Sequence, residues 1–224
     1  MIVAANGGSD FIYVPSGDRV LVQKAIDALL AQDYVSGLFV DDALGSFAGT
    51  LPLSAINLSG SSLGLRPSII INFKSTTTGC AEPSTCAVEI ADTGLQQGQG
   101  MHGSFSRADT ENFMAAYGPD FKNGFVDPAP ASNADIGKTI VAILGLLPES
   151  HGKLVGRPLA EAFRGGIVPQ FERKTLASAP SASGLRTTLN YQAVGDTKYF
   201  DAAGFEGRPV GLKTEADASL AAGK

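Results

Sequence analysis

Apolar positions along this chain fall into short runs punctuated by glycine, and two longer segments carry a helical period. Ile2-Val3-Ala4-Ala5 is a brief apolar run leading into Asn6-Gly7-Gly8, a strong turn signal. Phe11-Ile12-Tyr13-Val14 is a β-type run closed by Pro15. Asp18 is placed to cap a helix. After it Val22, Ile26, Leu29 and Leu30 recur at i, i+4, i+7 and i+8, the stripe of an amphipathic helix ending near Gln32. Val35 to Val40 returns to strand. Between Gly45 and Arg66 no period is visible and the segment reads as a long loop. Ser68-Ile69-Ile70-Ile71-Asn72-Phe73 is a continuous apolar strand of the kind buried on both faces.

The second half alternates likewise. Ala87-Val88-Glu89-Ile90 precedes a glycine-rich segment, Gly94 to Gly103, and Asn112 to Tyr117 is a strand candidate running into Gly118-Pro119. A helix is predicted from Ser132 or Asn133, with Asp135 in its first turn favouring the dipole. Its apolar stripe is Ile136, Ile140, Ile143, Leu144 and Leu147, and Gly145 and Pro148 mark its end. A short helix is expected over Pro158 to Phe163. Leu185 to Tyr191 and Lys198 to Ala202 flank Gly195-Asp196 as a hairpin, and Thr214 to Lys224 has the Ala-rich, polar character of a fraying end. Alternating strands and helices with buried apolar strands point to an α/β fold carrying a β-containing appendage.

Composition narrows the function classes. With 44% apolar residues the chain can bury a sizeable core. A net charge of −5 and scattered basic residues exclude a nucleic-acid binding patch. No stretch of about 18 uncharged apolar residues is present to span a membrane, and Met1 to Asn6 lack the features of a signal peptide. The two cysteines are joined through turn formers, Cys80-Ala-Glu-Pro-Ser-Thr-Cys86. Two thiolates make a poor zinc site. A small disulfide-closed loop is preferred to a pair of reduced cysteines, and it implies a location outside the reducing cytoplasm.

Only two histidines are available to carry metal or acid–base chemistry. His151 follows a predicted helix end, where a histidine commonly serves as a cap. His102 stands between glycines in Gly100-Met101-His102-Gly103-Ser104, which would leave an imidazole at a loop tip. The run His102-Gly103-Ser104-Phe105-Ser106-Arg107-Ala108-Asp109-Thr110 continues to Tyr117-Gly118-Pro119-Asp120-Phe121. It is followed by the helix ending at Leu144-Gly145-Leu146 and by Gly156-Arg157-Pro158-Leu159. This order resembles the C-terminal signature of the type I phosphodiesterase and nucleotide pyrophosphatase branch of the alkaline phosphatase superfamily. Asn6 to Tyr13, with the following helix and the strand near Phe39, resembles the small subdomain after that family's Asp-His-Gly motif.

The resemblance implies the C-terminal part of an alkaline-phosphatase-like α/β/α sandwich over residues 1–165, with a small subdomain at about 1–45. Residues 166–224 would add a β-hairpin appendage and a flexible tail. It implies a periplasmic or secreted, zinc-dependent phosphoester hydrolase, in which two zinc ions activate the nucleophile and polarise the phosphoryl group. His102 matches the family's last histidine ligand and is the only ligand carried over. No Asp-His-Gly occurs here, and the N-terminal nucleophile motif is absent. The chain is therefore expected to be inactive without an N-terminal half. The alternatives are a non-catalytic extracytoplasmic α/β module, or a phosphomonoesterase or sulfatase of the same superfamily. Ser104, Ser106, Arg107 and Asp109 could orient the loop or touch a phosphate, and turn stabilisation is the preferred role. Thr76-Thr77-Thr78-Gly79 is read as loop.

Overall fold

A computed structural model of the chain describes residues 1–60, 64–96, 99–146, 152 and 155–214. At the amino end Ile2–Ala5 (β1) and Ser9–Tyr13 (β2) pair antiparallel around the Asn6-Gly7-Gly8 turn. Arg19–Leu30 (α1) begins where Asp18 Oδ1 accepts from the Val20 and Leu21 amides at 2.8 and 3.3 Å. Those donors have no partner inside the helix, so the cap satisfies them. Val35–Val40 (β3), Leu51–Pro52 (β4) and Ile69–Phe73 (β5) complete a five-stranded sheet in the order β1-β2-β5-β3-β4. All its pairings are antiparallel except that of β3 with β4. The chain is thus mixed α/β, with strands outnumbering helices.

The continuous apolar run became the central strand. Every residue of β5 is buried, as a strand covered on both faces must be. Ile69, Ile71 and Phe73 join Val22, Ile26, Leu38 and Val40 in one core cluster, with Leu29 and Leu30 packed at its margin. Burying each such side chain stabilises the fold by about 1.5–3 kcal/mol relative to leaving it exposed. Alternation places Ile70 and Asn72 on the opposite face. There β3 carries a register shift between Val35 and Gly37, and a Cβ on Gly37 would lie 2.8 Å from the Gly204 Cα. Only glycine permits that approach.

The stretch from Gly45 to Arg66 is not the open loop its lack of period suggested. It contains β4 and a 3-10 turn over Leu53–Ile56, and it buries Phe47, Leu51, Leu53, Ala55 and Ile56. A two-residue strand and a single helical turn are too short to leave a repeat.

Ser75–Thr77 (β6) and Ala87–Glu89 (β7) form an antiparallel ribbon, so Thr76 and Thr77 are strand residues rather than loop. The Cys80–Cys86 disulfide closes the connection, with the Cα atoms 6.3 Å apart. For so short a loop the chain-entropy estimate gives about 2 kcal/mol of stabilisation. Urea unfolding of the Cys80→Ser/Cys86→Ser variant should show that loss; an unchanged midpoint would mean that the ribbon is held by its ladder alone.

The chain divides into two compact units. One comprises Met1–Glu111, Thr175–Asn190 and the described residues from Phe200 on; the other comprises Asn112–Lys174 and Tyr191–Tyr199. The first includes the short helix Arg107–Thr110 (α2). In the second, Asn133–Ile143 (α3) starts at a Ser132 capping box with Asp135, as the sequence indicated. Its orientation is the reverse of expectation. Ile136, Ile140, Ile143 and Leu144 are 36–61% exposed, and the buried positions are Asp135 and Thr139. The Asn112–Tyr117 run is irregular, not a strand, with Phe113 and Tyr117 open to solvent. Among the described residues no strand pairs with it, so its composition finds no ladder. Pro158 to Phe163 reduces to one 3-10 turn, Ala160–Ala162.

Glu172–Ala177 (β8), Thr188–Val194 (β9) and Thr197–Gly204 (β10) form a sheet in the order β10-β9-β8. Gly195-Asp196 joins β9 to β10 as the hairpin signal indicated. The sequence reading missed β8, because its six residues are all exposed and mostly polar. His151, Leu147, Pro148 and the chain beyond Thr214 lie outside the described residues, and with them the readings placed there.

Candidate metal-ligand loop at His102

The loop carrying His102 is fixed by its backbone. Gly8 N–H donates to the His102 carbonyl at 3.0 Å, and Phe73 N–H donates to the Gly8 carbonyl at 3.1 Å, tying the loop to the end of β5. Gly7 has φ +75° and Gly103 φ +106°. A Cβ on Gly7 would lie 2.6 Å from the His102 carbonyl oxygen, and one on Gly103 would lie 2.5 Å from that of Asn6. Both glycines are therefore demanded by contact as well as by conformation. The His102 side chain itself is exposed. The loop lies where β5 ends and β2 begins.

Past the histidine the chain is held by side chains from four strands, β3, β5, β7 and the strand Thr197–Gly204, and from α2. Ser104 N–H donates to Asp109 Oδ2 at 2.7 Å, and Ser104 Oγ donates to Glu89 Oε1 at 2.8 Å; Ser106 Oγ donates to the same carboxylate oxygen. Phe105 N–H donates to Asn72 Oδ1 at 2.8 Å, and the Phe105 carbonyl accepts from Ala203 N–H at 2.9 Å. The Phe105 ring packs on Phe39 and Phe200 with centroids 5.4 and 5.9 Å apart. Arg107 forms ion pairs with Asp201 and Glu111, each at 3.4 Å. All four polar residues after His102 are thus engaged within the protein, the arrangement of a braced turn.

Beside the loop is a cleft of about 410 Å³ lined in part by Glu89, Thr93, Met101 and Asp109. Its charged lining residues are both acidic, which disfavours a phosphate there. Asp10 on β2 is buried, and its Oδ1 has no hydrogen-bond partner among the described residues. Burial, then the nearby Asp92 charge, pushes its carboxyl above the ordinary aspartate range. Nothing in the sequence pattern marked Asp10 as unusual.

No group of three His, Cys, Asp or Glu side chains that could hold a metal ion occurs among the described residues. One imidazole does not make a zinc site, which needs three or four ligands. The described residues therefore do not fit the two-zinc centre, and no catalytic step runs through it. Thr77, near the disulfide, accepts from the Gly79 amide at 3.1 Å and has no nucleophile's setting of base or metal.

In the second unit the Gly156-Arg157-Pro158-Leu159 segment lies against the polar face of α3. Arg157 grips Glu161 with two hydrogen bonds, 2.8 Å to Oε2 and 2.5 Å to Oε1, and Glu161 is fully buried. Asp135 Oδ1 accepts from Arg157 N–H at 2.8 Å and from Tyr199 Oη at 3.2 Å. Leu159 N–H donates to Thr139 Oγ1 at 3.0 Å. A Cβ on Gly156 would fall 2.1 Å from the Ala134 carbonyl oxygen. The segment works as a structural clasp, and this is why α3 turns its polar side inward.

No helix among the described residues is long and apolar enough to cross a membrane. Comparison with family models, with curated proteins and with solved structures finds no match for the chain.

Proposed function

We propose that this chain is the C-terminal part of a zinc-dependent phosphoester hydrolase of the phosphodiesterase and nucleotide pyrophosphatase type, within an alkaline-phosphatase-like sandwich. Its contribution to the metal centre is His102. The supporting observation is the geometry of that loop: an exposed imidazole on a backbone held by two positive-φ glycines and by bonds to the β1–β2 turn, β5 and β7. A ligand must be held in place before the metal arrives, and such bracing does so. The nucleophile and the other ligands would come from an N-terminal half, with a small phosphoester as substrate. The uncovered apolar stripe of α3 agrees with a fold that expects further layers. The disulfide agrees with a periplasmic or secreted location.

A non-catalytic extracytoplasmic module is the competing reading, favoured by the lack of any metal-holding group among the described residues. The two separate by experiment. The chain alone, given Zn²⁺, should not hydrolyse a nitrophenyl phosphodiester above the zinc blank. In a longer polypeptide with Asp-His-Gly and a nucleophile ahead of Ile2, zinc-dependent turnover should appear. His102→Ala should lower it by more than about 100-fold, beyond the usual effect of losing an outer-shell partner. Turnover indifferent to His102→Ala would overturn the reading, as would turnover by the isolated chain.

A further inference from the structure

The Asn112–Lys174 unit contains a cavity of about 550 Å³. Eleven of its fourteen lining residues are apolar, Met114, Phe121, Phe125 and Leu159 among them, and the polar ones are Asn112, Lys122 and Asp127. Size and lining match small-molecule sites, which enclose roughly 300–1,000 Å³ and carry a few placed polar groups. Lys122 is the group held most firmly. Its amide donates to the Ala162 carbonyl at 2.9 Å, and Arg164 N–H donates to the Asp120 carbonyl at 2.9 Å. Between them Phe121 bridges Phe163, with ring centroids 5.7 Å apart. The half-buried Lys122 ammonium donates to the Gly166 carbonyl at 2.8 Å and lies 4.4 Å from the Phe125 ring centroid. Gly166 is itself fixed, since a Cβ there would fall 1.9 Å from the Ala160 carbonyl oxygen.

This lysine lacks an anion. Among the described residues no carboxylate forms an ion pair with it. The one acid in the lining, Asp127, is committed elsewhere: its Oδ1 accepts from Ala129 N–H at 2.9 Å, and its carboxyl hydrogen-bonds to Glu161. A carbonyl and a ring hold an ammonium in place without neutralising it, and a charge among apolar walls is costly until it is paired. We propose that the cavity binds an apolar monocarboxylate, with Lys122 pairing the carboxylate and Phe121, Phe125 and Leu159 lying against the aliphatic or aryl body. One positive charge matches one negative charge. A phosphate monoester would bring about −1.5 to −2, and the lining offers no arginine to meet the excess. His102 belongs to the other unit, so this site is independent of the hydrolase reading.

Sodium octanoate is the probe, titrated into the full chain by calorimetry and by amide NMR. Binding should saturate with Kd below about 1 mM, and the amide shifts should centre on the segments that line the cavity. Octanol and octylammonium should bind at least about tenfold more weakly, since neither can make the charge-assisted bond. Lys122→Gln keeps a donor for the Gly166 carbonyl but removes the charge. It should reduce octanoate to the affinity of octanol while circular dichroism stays unchanged. Should that variant fail to fold, the comparison of octanoate with octanol in the native chain decides. Equal affinity for the two there overturns the proposal, as does the absence of saturable octanoate binding. So does octanoate binding that Lys122→Gln leaves intact, or shifts centred outside the cavity. Octyl phosphate binding more tightly than octanoate would overturn the carboxylate assignment.

Discussion

Glu161→Leu should destabilise the Asn112–Lys174 unit by about 3–5 kcal/mol, the usual consequence of stranding one partner of a buried ion pair. Glu161 is 1% exposed and its partner Arg157 13%. Arg157 also donates to the Pro130 carbonyl at 3.1 Å, while its Nε has no partner among the described residues. Without the carboxylate, the guanidinium would lose its two-pronged partner and keep only the Pro130 and Pro158 carbonyls as hydrogen-bond acceptors. Amide exchange in α3 is the measurement, since Asp135 and Thr139 bond the same segment. The double variant Arg157→Met/Glu161→Leu should regain most of the loss, because replacing both charges by apolar groups removes the desolvation burden as well. A single variant within about 1 kcal/mol of the parent would show that water reaches the pair.

The same cluster sets opposing responses to pH. Burial raises the Glu161 carboxyl, but the hydrogen bonds from Arg157 outweigh it, and the pKa lies below the ordinary glutamate range. That stabilisation is complete above the unfolded pKa and is lost as pH falls through the depressed folded value. Asp127 shifts the other way: burial raises it, the Ala129 amide opposes, and the Glu161 charge adds to the rise. Its contribution declines as pH climbs from the ordinary aspartate range through the raised value. Glu161→Leu should therefore abolish the acid-side loss.

How far the sequence revealed this molecule depended on the range over which each interaction acts. Asp18, the α1 stripe, Ser132 and the Gly195-Asp196 hairpin were legible because each is decided within a few residues. The orientation of α3 was not. Its isoleucines mark a stripe correctly, but the stripe's direction is decided by Arg157, Glu161 and Tyr199, which lie beyond any helical window. Asp135 was read as a favourable first-turn charge; it also receives Arg157 and Tyr199. At the candidate site, the glycines around His102 announced a loop. Its bracing by Glu89 and Asn72 stayed hidden, since those residues come from β7 and β5 and look unremarkable in their own strands.

Asn72→Leu should cost about 3 kcal/mol and loosen the His102 segment at the same time. Asn72 sits in the middle of a strand otherwise made of isoleucine and phenylalanine, and it is 1% exposed. A buried amide is tolerated only where its bonds are made. Here its Oδ1 accepts from Phe105 N–H at 2.8 Å, and its Nδ2 donates to the Ala203 carbonyl at 3.1 Å and to Ser36 Oγ at 3.3 Å. Leucine has the same branched shape and suits the strand, so the loss would come from its slightly larger methyls and above all from the groups left behind. The Phe105 amide and the Ala203 carbonyl would each lose a partner, at roughly 1–3 kcal/mol apiece. The Ala203 amide would still hold the Phe105 carbonyl at 2.9 Å, so the segment should loosen without detaching. Urea unfolding should report the destabilisation, and exchange at Phe105 and its neighbours should accelerate more than exchange in α1, whose core contacts lie on the other face of the sheet. A loss below about 1 kcal/mol, or uniform acceleration across both faces, would mean that Asn72 is a tolerated polar residue and that the loop is braced by Glu89 instead.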